Sequence, residues 1–206
     1  IDEELDPYGV VAVGGELNLK RLLVAYRLGI FPWPHDGQLV WFCPPQRGIL
    51  EFASLHIPKR LKRFSKKTDL EFFRNRAFQD VMVGCALTPR RGQAGTWITK
   101  DLLRVYCEAA LLGFAQSFEA YRGSELIGGL YGTSIAPVFS AESVFAKESD
   151  VSKLCLLACV DWLADKGHTW LDVQMTTPFS EAFGARYISR TEFFERLASA
   201  PKNEQP

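Results

Sequence analysis

The sequence predicts a mixed α/β fold, and three observations carry that expectation. Apolar residues recur at helical spacing in several stretches. Two strand-like runs meet around Gly123-Ser124. The second half then reads as three strands, a helix, a strand and a helix, the alternation of helices layered on a sheet. The chain has 206 residues, 47% hydrophobic and 23% charged. These proportions suit a globular protein and exclude disordered and collagen-like chains.

The first helix is expected over Asn18–Leu28. Leu19, Leu22, Leu23 and Tyr26 follow the i, i+3, i+4, i+7 rule, Asn18 suits an N-cap, and Gly29 suits a stop. Ile30-Phe31-Pro32-Trp33-Pro34 holds two prolines, which forbid a regular helix and fix an aromatic loop. Leu39–Phe42 reads as a strand. Ser54–Phe64 reads as a helix with Pro58 in its first turn, and Asp69–Phe73 as a strand.

Helices are expected over Asn75–Ala86 and Thr99–Leu112, separated by a loop that holds Arg90-Arg91. Ala115–Tyr121 and Glu125–Tyr131 read as a hairpin. Val138–Ser140 is a short strand, Val151–Asp165 a helix, Thr169–Gln174 a strand and Glu192–Ala198 a last helix. Residues 201–206 form a low-complexity tail. A boundary is expected near residue 63, with a small N-terminal α/β domain over 1–62 and a larger domain over 63–206.

The net charge is zero, yet the charge is uneven. Residues 59–104 hold 12 basic and 4 acidic groups. Lys59, Arg60, Lys62, Arg63, Lys66 and Lys67 fill six of nine positions, with Ile57, Leu61 and Phe64 as the apolar stripe of that helix. With no neutralising acid nearby, such a face grips phosphates in a salt-dependent way; the alternative is a solvated face. No apolar run approaches the ~18 residues of a membrane span, so no membrane partner is expected. Nor is an exposed apolar patch evident in the pattern, so a monomer is expected. The five cysteines form no CxxC pair and the three histidines no HxxxH pattern. Unpaired thiols in a reducing compartment and no bound metal are the expectation.

Trp33 lies between prolines and Trp97 follows Gly95-Thr96. Tryptophans on rigid loops can stack a nucleobase, or simply cover a core edge. Asp172 and Gln174 alternate with Leu171, Val173 and Met175, so the carboxylate and the amide share one strand face. Glu142 sits in a similar apolar setting. The three can hold and deprotonate an amine; the alternative is the solvated face of an edge strand. There is no GxGxxG, P-loop or GxSxG, so nucleotide hydrolysis and serine chemistry have no support.

Several stretches together resemble the leucyl/phenylalanyl-tRNA–protein transferase family. They are Val13-Gly14-Gly15-Glu16-Leu17, Leu22 to Trp33, Ser54-Leu55-His56-Ile57 with the basic helix, and Gly95-Thr96-Trp97-Ile98-Thr99. Ile127 to Gly132, Glu142-Ser143-Val144-Phe145, Ser152-Lys153, Leu171-Asp172-Val173-Gln174 and Gly184-Ala185-Arg186 complete them in order. The resemblance implies a GNAT-like acyltransferase domain at the C-terminus beside a smaller N-terminal domain. It implies transfer of Leu or Phe, with Met a further candidate, from aminoacyl-tRNA to proteins beginning with Arg or Lys. Such products are marked for degradation. The reaction runs in the cytoplasm, without a cofactor.

Residue by residue, the resemblance puts Trp33 and Trp97 on either face of the terminal adenine, and Asp172, Gln174 and Glu142 at the reacting amine. It puts Leu130, Phe139, Val144, Cys159 and Leu171 around the transferred side chain, and the six bases of 59–67 on tRNA phosphates. Val144 and Leu130 stand where the family commonly has Met, and Ala141 where it has Gly. A tRNA-binding relative with altered catalysis and a CoA-dependent acetyltransferase of the same superfamily are the alternatives. The second lacks its Q/RxxGxG/A loop in this sequence.

Overall fold

The structure, a computed structural model, describes residues 7–89, 95–135 and 137–199. Arg90-Arg91 and the 201–206 tail lie outside the described residues. The expected mixed α/β fold is what the chain forms. A small antiparallel sheet joins β1 (Val10–Val13), β3 (Val40–Phe42) and β2 (Phe31–Pro32). A seven-stranded sheet has the order β10-β4-β9-β8-β7-β6-β5. Its strands are β4 (Gln46–Glu51), β5 (Glu71–Arg74), β6 (Ala115–Arg122), β7 (Glu125–Thr133), β8 (Ser140–Ala146), β9 (Trp170–Gln174) and β10 (Arg186–Ser189).

Local signals place the helices. In α1 (Leu19–Arg27) the Asn18 side chain accepts from the Arg21 amide, and Gly29 follows at φ 72°. Thr99 caps α4 (Lys100–Leu111) through the Leu102 amide. α3 (Phe78–Leu87) and α5 (Val151–Asp165) cover opposite faces of the large sheet. A Cβ on Gly129 would lie 2.7 Å from Val81 of α3, and one on Gly128 would lie 2.7 Å from Val151 of α5. These two glycines let both helices approach the β7 backbone.

Two large clusters form the interior. One joins Leu22, Tyr26 and Phe31 with Val81, Leu102, Tyr106 and Tyr131. The other joins Leu61, Leu130, Phe139, Leu154, Cys159 and Leu171. The early segments therefore share their core with α3 and α4. The chain enters the large sheet at Gln46, ahead of the boundary expected near residue 63.

Three expectations change. The basic helix, α2 (Lys59–Ser65), starts at Lys59 rather than Ser54. Pro58 has ψ 140°, which is extended, and the His56 amide bonds the Phe183 carbonyl at 3.0 Å instead of a helical partner. The strand expected at Val138–Ser140 is β8, which runs on to Ala146. β4 and β10 form where no element is expected; β4 is buried on both faces and so shows no alternation.

β8 and β9 are the parallel pair, with Ser140 opposite Asp172. Past that point β8 and β9 supply facing walls of one cavity. No described helix is long and apolar enough to cross a membrane.

Candidate active site

The cavity between β8 and β9 has a volume of about 480 Å³. Ala141, Glu142, Ser143 and Val144 come from β8, and Val173 and Gln174 from β9. Phe31, Pro32 and Trp33 form one side, Trp97 joins them, and Met175 to Thr177 and Phe179 close another. The floor is apolar, through Leu130 and Leu156. Such a mostly apolar cleft with a few convergent polar groups is the usual form of a ligand site.

Trp33 and Trp97 both reach this cavity. The Trp33 amide bonds the Val40 carbonyl at 2.7 Å, and its ring leans on Phe42 with centroids 5.7 Å apart. Trp97 sits just before the Thr99 cap of α4, and Thr96 Oγ1 accepts from the Ile98 amide. Both rings are half-buried.

Glu142 and Gln174 meet at the polar end. Gln174 Nε2 donates to both Glu142 oxygens, at 3.0 Å each. Tyr26 Oη donates to Glu142 Oε1 at 2.5 Å, and Tyr26 and Tyr106 share a hydroxyl bond of 2.6 Å. Each phenol has one proton, so with Glu142 ionised Tyr106 donates to Tyr26 and Tyr26 to Glu142. Burial pushes the Glu142 carboxyl up to about 7, against the opposing bonds from Tyr26 and Gln174. Burial and then the charge of Glu142 hold both phenols well above their ordinary value, so they stay protonated.

Asp172 lies behind this pair rather than in the cavity. It is fully buried, in a strand flanked by β4 and β8, so the edge-strand alternative does not hold. Its Oδ1 accepts from Arg47 Nε and the Gln174 amide, both at 2.8 Å; its Oδ2 accepts from Arg47 Nη2 and Ser140 Oγ, both at 2.7 Å. Gln174 has φ 59°, which breaks the strand alternation and separates its side chain from that of Asp172. Sequence reasoning does not reach Arg47, Tyr26 or Tyr106. An arginine ahead of the Gly48-Ile49-Leu50 run was the available signal for the first.

The residues expected around the transferred side chain do not all reach the cavity. Leu130 and Val144 line the cavity. Phe139, Cys159 and Leu171 are core residues, at most 1% exposed, and are not among the lining residues. Leu156, Val173 and Phe179 are further apolar residues that line the cavity. Leu156 lies about one turn before Cys159 on α5, so the helix is the expected one and a different residue of it meets the cavity.

All six bases of 59–67 are exposed, while Leu61 is buried. Ile57, Leu61 and Phe64 belong to or pack on the second core cluster, so the apolar side of this segment faces the interior. Arg60 has an acidic neighbour after all, Asp150 Oδ2 at 3.5 Å. All five cysteines are thiols. Among the described residues, no three His, Cys, Asp or Glu side chains come together as a metal cage.

The leucyl/phenylalanyl-tRNA protein transferase family profile matches residues 49–198, and the profile of that family's N-terminal domain matches residues 15–45. The division between the two falls where the chain passes from the small sheet to the large one. A leucyl/phenylalanyl-tRNA–protein transferase from Anaeromyxobacter dehalogenans is 42% identical over 98% of this chain and 86% of its own length. The protein of the same name from Saccharophagus degradans is 42% identical over 98% of this chain and 83% of its own. Among solved structures, a ribosomal-protein-alanine N-acetyltransferase from Brucella melitensis aligns with 67% of this chain and 94% of its own at 13% identity and a TM-score of 0.38.

By class this chain is an enzyme, an acyltransferase that moves aminoacyl groups. It belongs to the leucyl/phenylalanyl-tRNA protein transferase family.

Proposed function

We propose that this chain transfers Leu or Phe from aminoacyl-tRNA to the N-terminal Arg or Lys of acceptor proteins, forming a peptide bond and marking them for degradation. We assign the reaction to the cytoplasm, where charged tRNA is made. The relatives' names supply aminoacyl-tRNA and protein as substrates. The observation that carries the reading is one cavity holding two tryptophans, an apolar floor and a Gln174–Glu142 pair together. We also read the large sheet, with its one parallel pair opening on the cavity, as the GNAT-like arrangement.

In this reading the terminal adenine stacks between Trp33 and Trp97. The transferred side chain fills the apolar part beside Leu130, Val144, Leu156 and Phe179. The ester is already activated, so no cofactor is required. The neutral α-amine attacks the ester carbonyl carbon, and the bond to the ribose oxygen breaks. The proton leaving the nitrogen passes to the Glu142 carboxylate, and the ribose oxygen leaves as a hydroxyl once protonated. A carboxyl near 7 suits an acceptor that must give the proton back. Gln174 fixes Glu142, and Asp172 fixes Gln174. Positioning of the two reactants supplies most of the acceleration.

The test is transfer of labelled Leu from tRNA to a peptide beginning with Arg. Trp33→Ala and Gln174→Ala are expected to lose most of the rate while keeping the fold. Full activity in both contradicts the assignment.

A further inference from the structure

One side chain outside the cavity touches one wall of it, at Phe31, and reaches another through Asp172. Arg47 is 2% exposed. Its Nε and Nη2 donate to the two oxygens of Asp172, and its Nη1 donates to the Gly29 carbonyl at 3.0 Å. The guanidinium carbon lies 4.7 Å from the centre of the Phe31 ring and 4.6 Å from that of Phe193. Gly29 and Phe31 lead directly into Trp33. Asp172 holds the backbone amide of Gln174 at 2.8 Å.

We propose that Arg47 is a positioning residue for the transfer reaction, one planar fork that fixes the Gln174 end of the cavity against the tryptophan loop. The proposal rests on the function assigned above only for its kinetic readout.

Stability alone gives no reason for such a pair. A fully buried ion pair is often no more stabilising than apolar residues of the same volume. Geometry does give one. Gln174 sits at φ 59°, a conformation that non-glycine residues adopt only when the surroundings impose it. Two bonds frame it: the Gln174 amide donates to the Asp172 carboxylate at 2.8 Å, and the Met175 amide donates to the Val173 carbonyl at 2.6 Å. Asp172 is in turn set by the fork, and the fork's plane is set by the aromatic rings on it. Phe193 belongs to the last helix, α6 (Arg190–Ser199), so that helix is tied to the site through Arg47. A lysine carries the same charge but cannot bond two carboxylate oxygens and a carbonyl in one plane.

The test is the Arg47→Lys variant, read in two ways. The first is kinetic: kcat for transfer is expected to fall at least tenfold, with KM for aminoacyl-tRNA changing less than about threefold. The second is the side-chain amide signal of Gln174 in ¹⁵N-labelled protein, assigned by its loss in Gln174→Ala. In the wild type it is expected to titrate with Glu142, and in Arg47→Lys to move to the position of a solvent-exposed glutamine. An unchanged Gln174 signal in a folded Arg47→Lys protein overturns the proposal. That signal is read whether or not the wild type transfers anything, so failure of the assigned function is seen separately. If Arg47→Lys does not fold, Arg47→Met with Asp172→Leu removes both buried charges. The double variant is expected to fold and still show the exposed-glutamine signal; a Gln174 amide still titrating with Glu142 overturns the proposal.

Discussion

The side-chain amide of Gln174 reaches both carboxylate oxygens of Glu142, at 3.0 Å each. It holds the carboxyl on the cavity side while Tyr26 holds it from the core side. Glu142 therefore has a fixed direction and a raised affinity for protons, the two features on which its proposed role as proton acceptor rests.

The rate of transfer is expected to depend on pH in two steps. Burial sets Glu142 at about 7, and an ordinary α-amine ionises near ~8. Both must be deprotonated, so kcat/KM rises with pH through the two values and then levels. Glu142→Gln is expected to lower kcat about 10²–10⁴-fold and to remove the step near 7. Tyr26→Phe removes a bond that favours the carboxylate, so the lower step moves upward in pH. A pH–rate profile of each variant checks this.

Trp33 and Trp97 flank a common space, and the expected ligand there is a flat base. Stacking on one aromatic ring is worth about 1–3 kcal/mol per base, or about 5- to 150-fold in affinity. Trp33→Ala and Trp97→Ala are each expected to weaken aminoacyl-tRNA binding within that range. Trp33→Phe, which keeps a ring against Phe42, is expected to lose less. Binding measured at fixed salt separates these outcomes.

The bases of α2 differ from one another. Arg60 is already opposed by Asp150, whereas Lys62, Arg63 and Lys66 have no carboxylate within ion-pair distance among the described residues. Every phosphate left without its cation is expected to reduce the slope of log K against log[salt] by about 0.7–0.9. Lys62, Arg63 and Lys66 changed together to Gln are thus expected to flatten the slope by about 2–3. Arg60→Gln alone is expected to change it less than Arg63→Gln. A salt titration of tRNA binding gives both numbers.

Gly129 marks a close approach of α3 to the sheet. A Cβ there would lie 2.7 and 2.9 Å from the two methyls of Val81. Gly129→Ala is expected to destabilise the fold by about 1–3 kcal/mol, the usual range for overpacking. Adding Val81→Ala, which clears those methyls, is expected to cost less in the Gly129→Ala background than in the wild type. Thermal unfolding of the four proteins checks both.

The helices were legible because their causes are local. The sequence pattern marks Val151–Asp165 to the residue, and Asn18 and Thr99 cap as their side chains suggest. Trp33, Trp97, Glu142 and Gln174 were legible as polar or aromatic residues in rigid or apolar settings. What was hidden depends on partners far along the chain. β4 is a central strand only because β9 and β10 flank it, more than a hundred residues later. Asp172 and Gln174 share a face in an ideal strand, and the positive φ of Gln174 breaks that rule. The role of Arg47 exists only once Gly29, Phe31, Asp172 and Phe193 surround it. Cys159 and Leu156 share a helix, and only packing decides which one meets the cavity.

The most direct measurement is transfer from labelled Leu-, Phe- or Met-tRNA to two peptides that differ only in beginning with Arg or with Ala. The account predicts label on the Arg peptide alone, from Leu- and Phe-tRNA, and loss of that label in Glu142→Gln near neutral pH. Equal labelling of both peptides, or none on either while tRNA still binds, contradicts it.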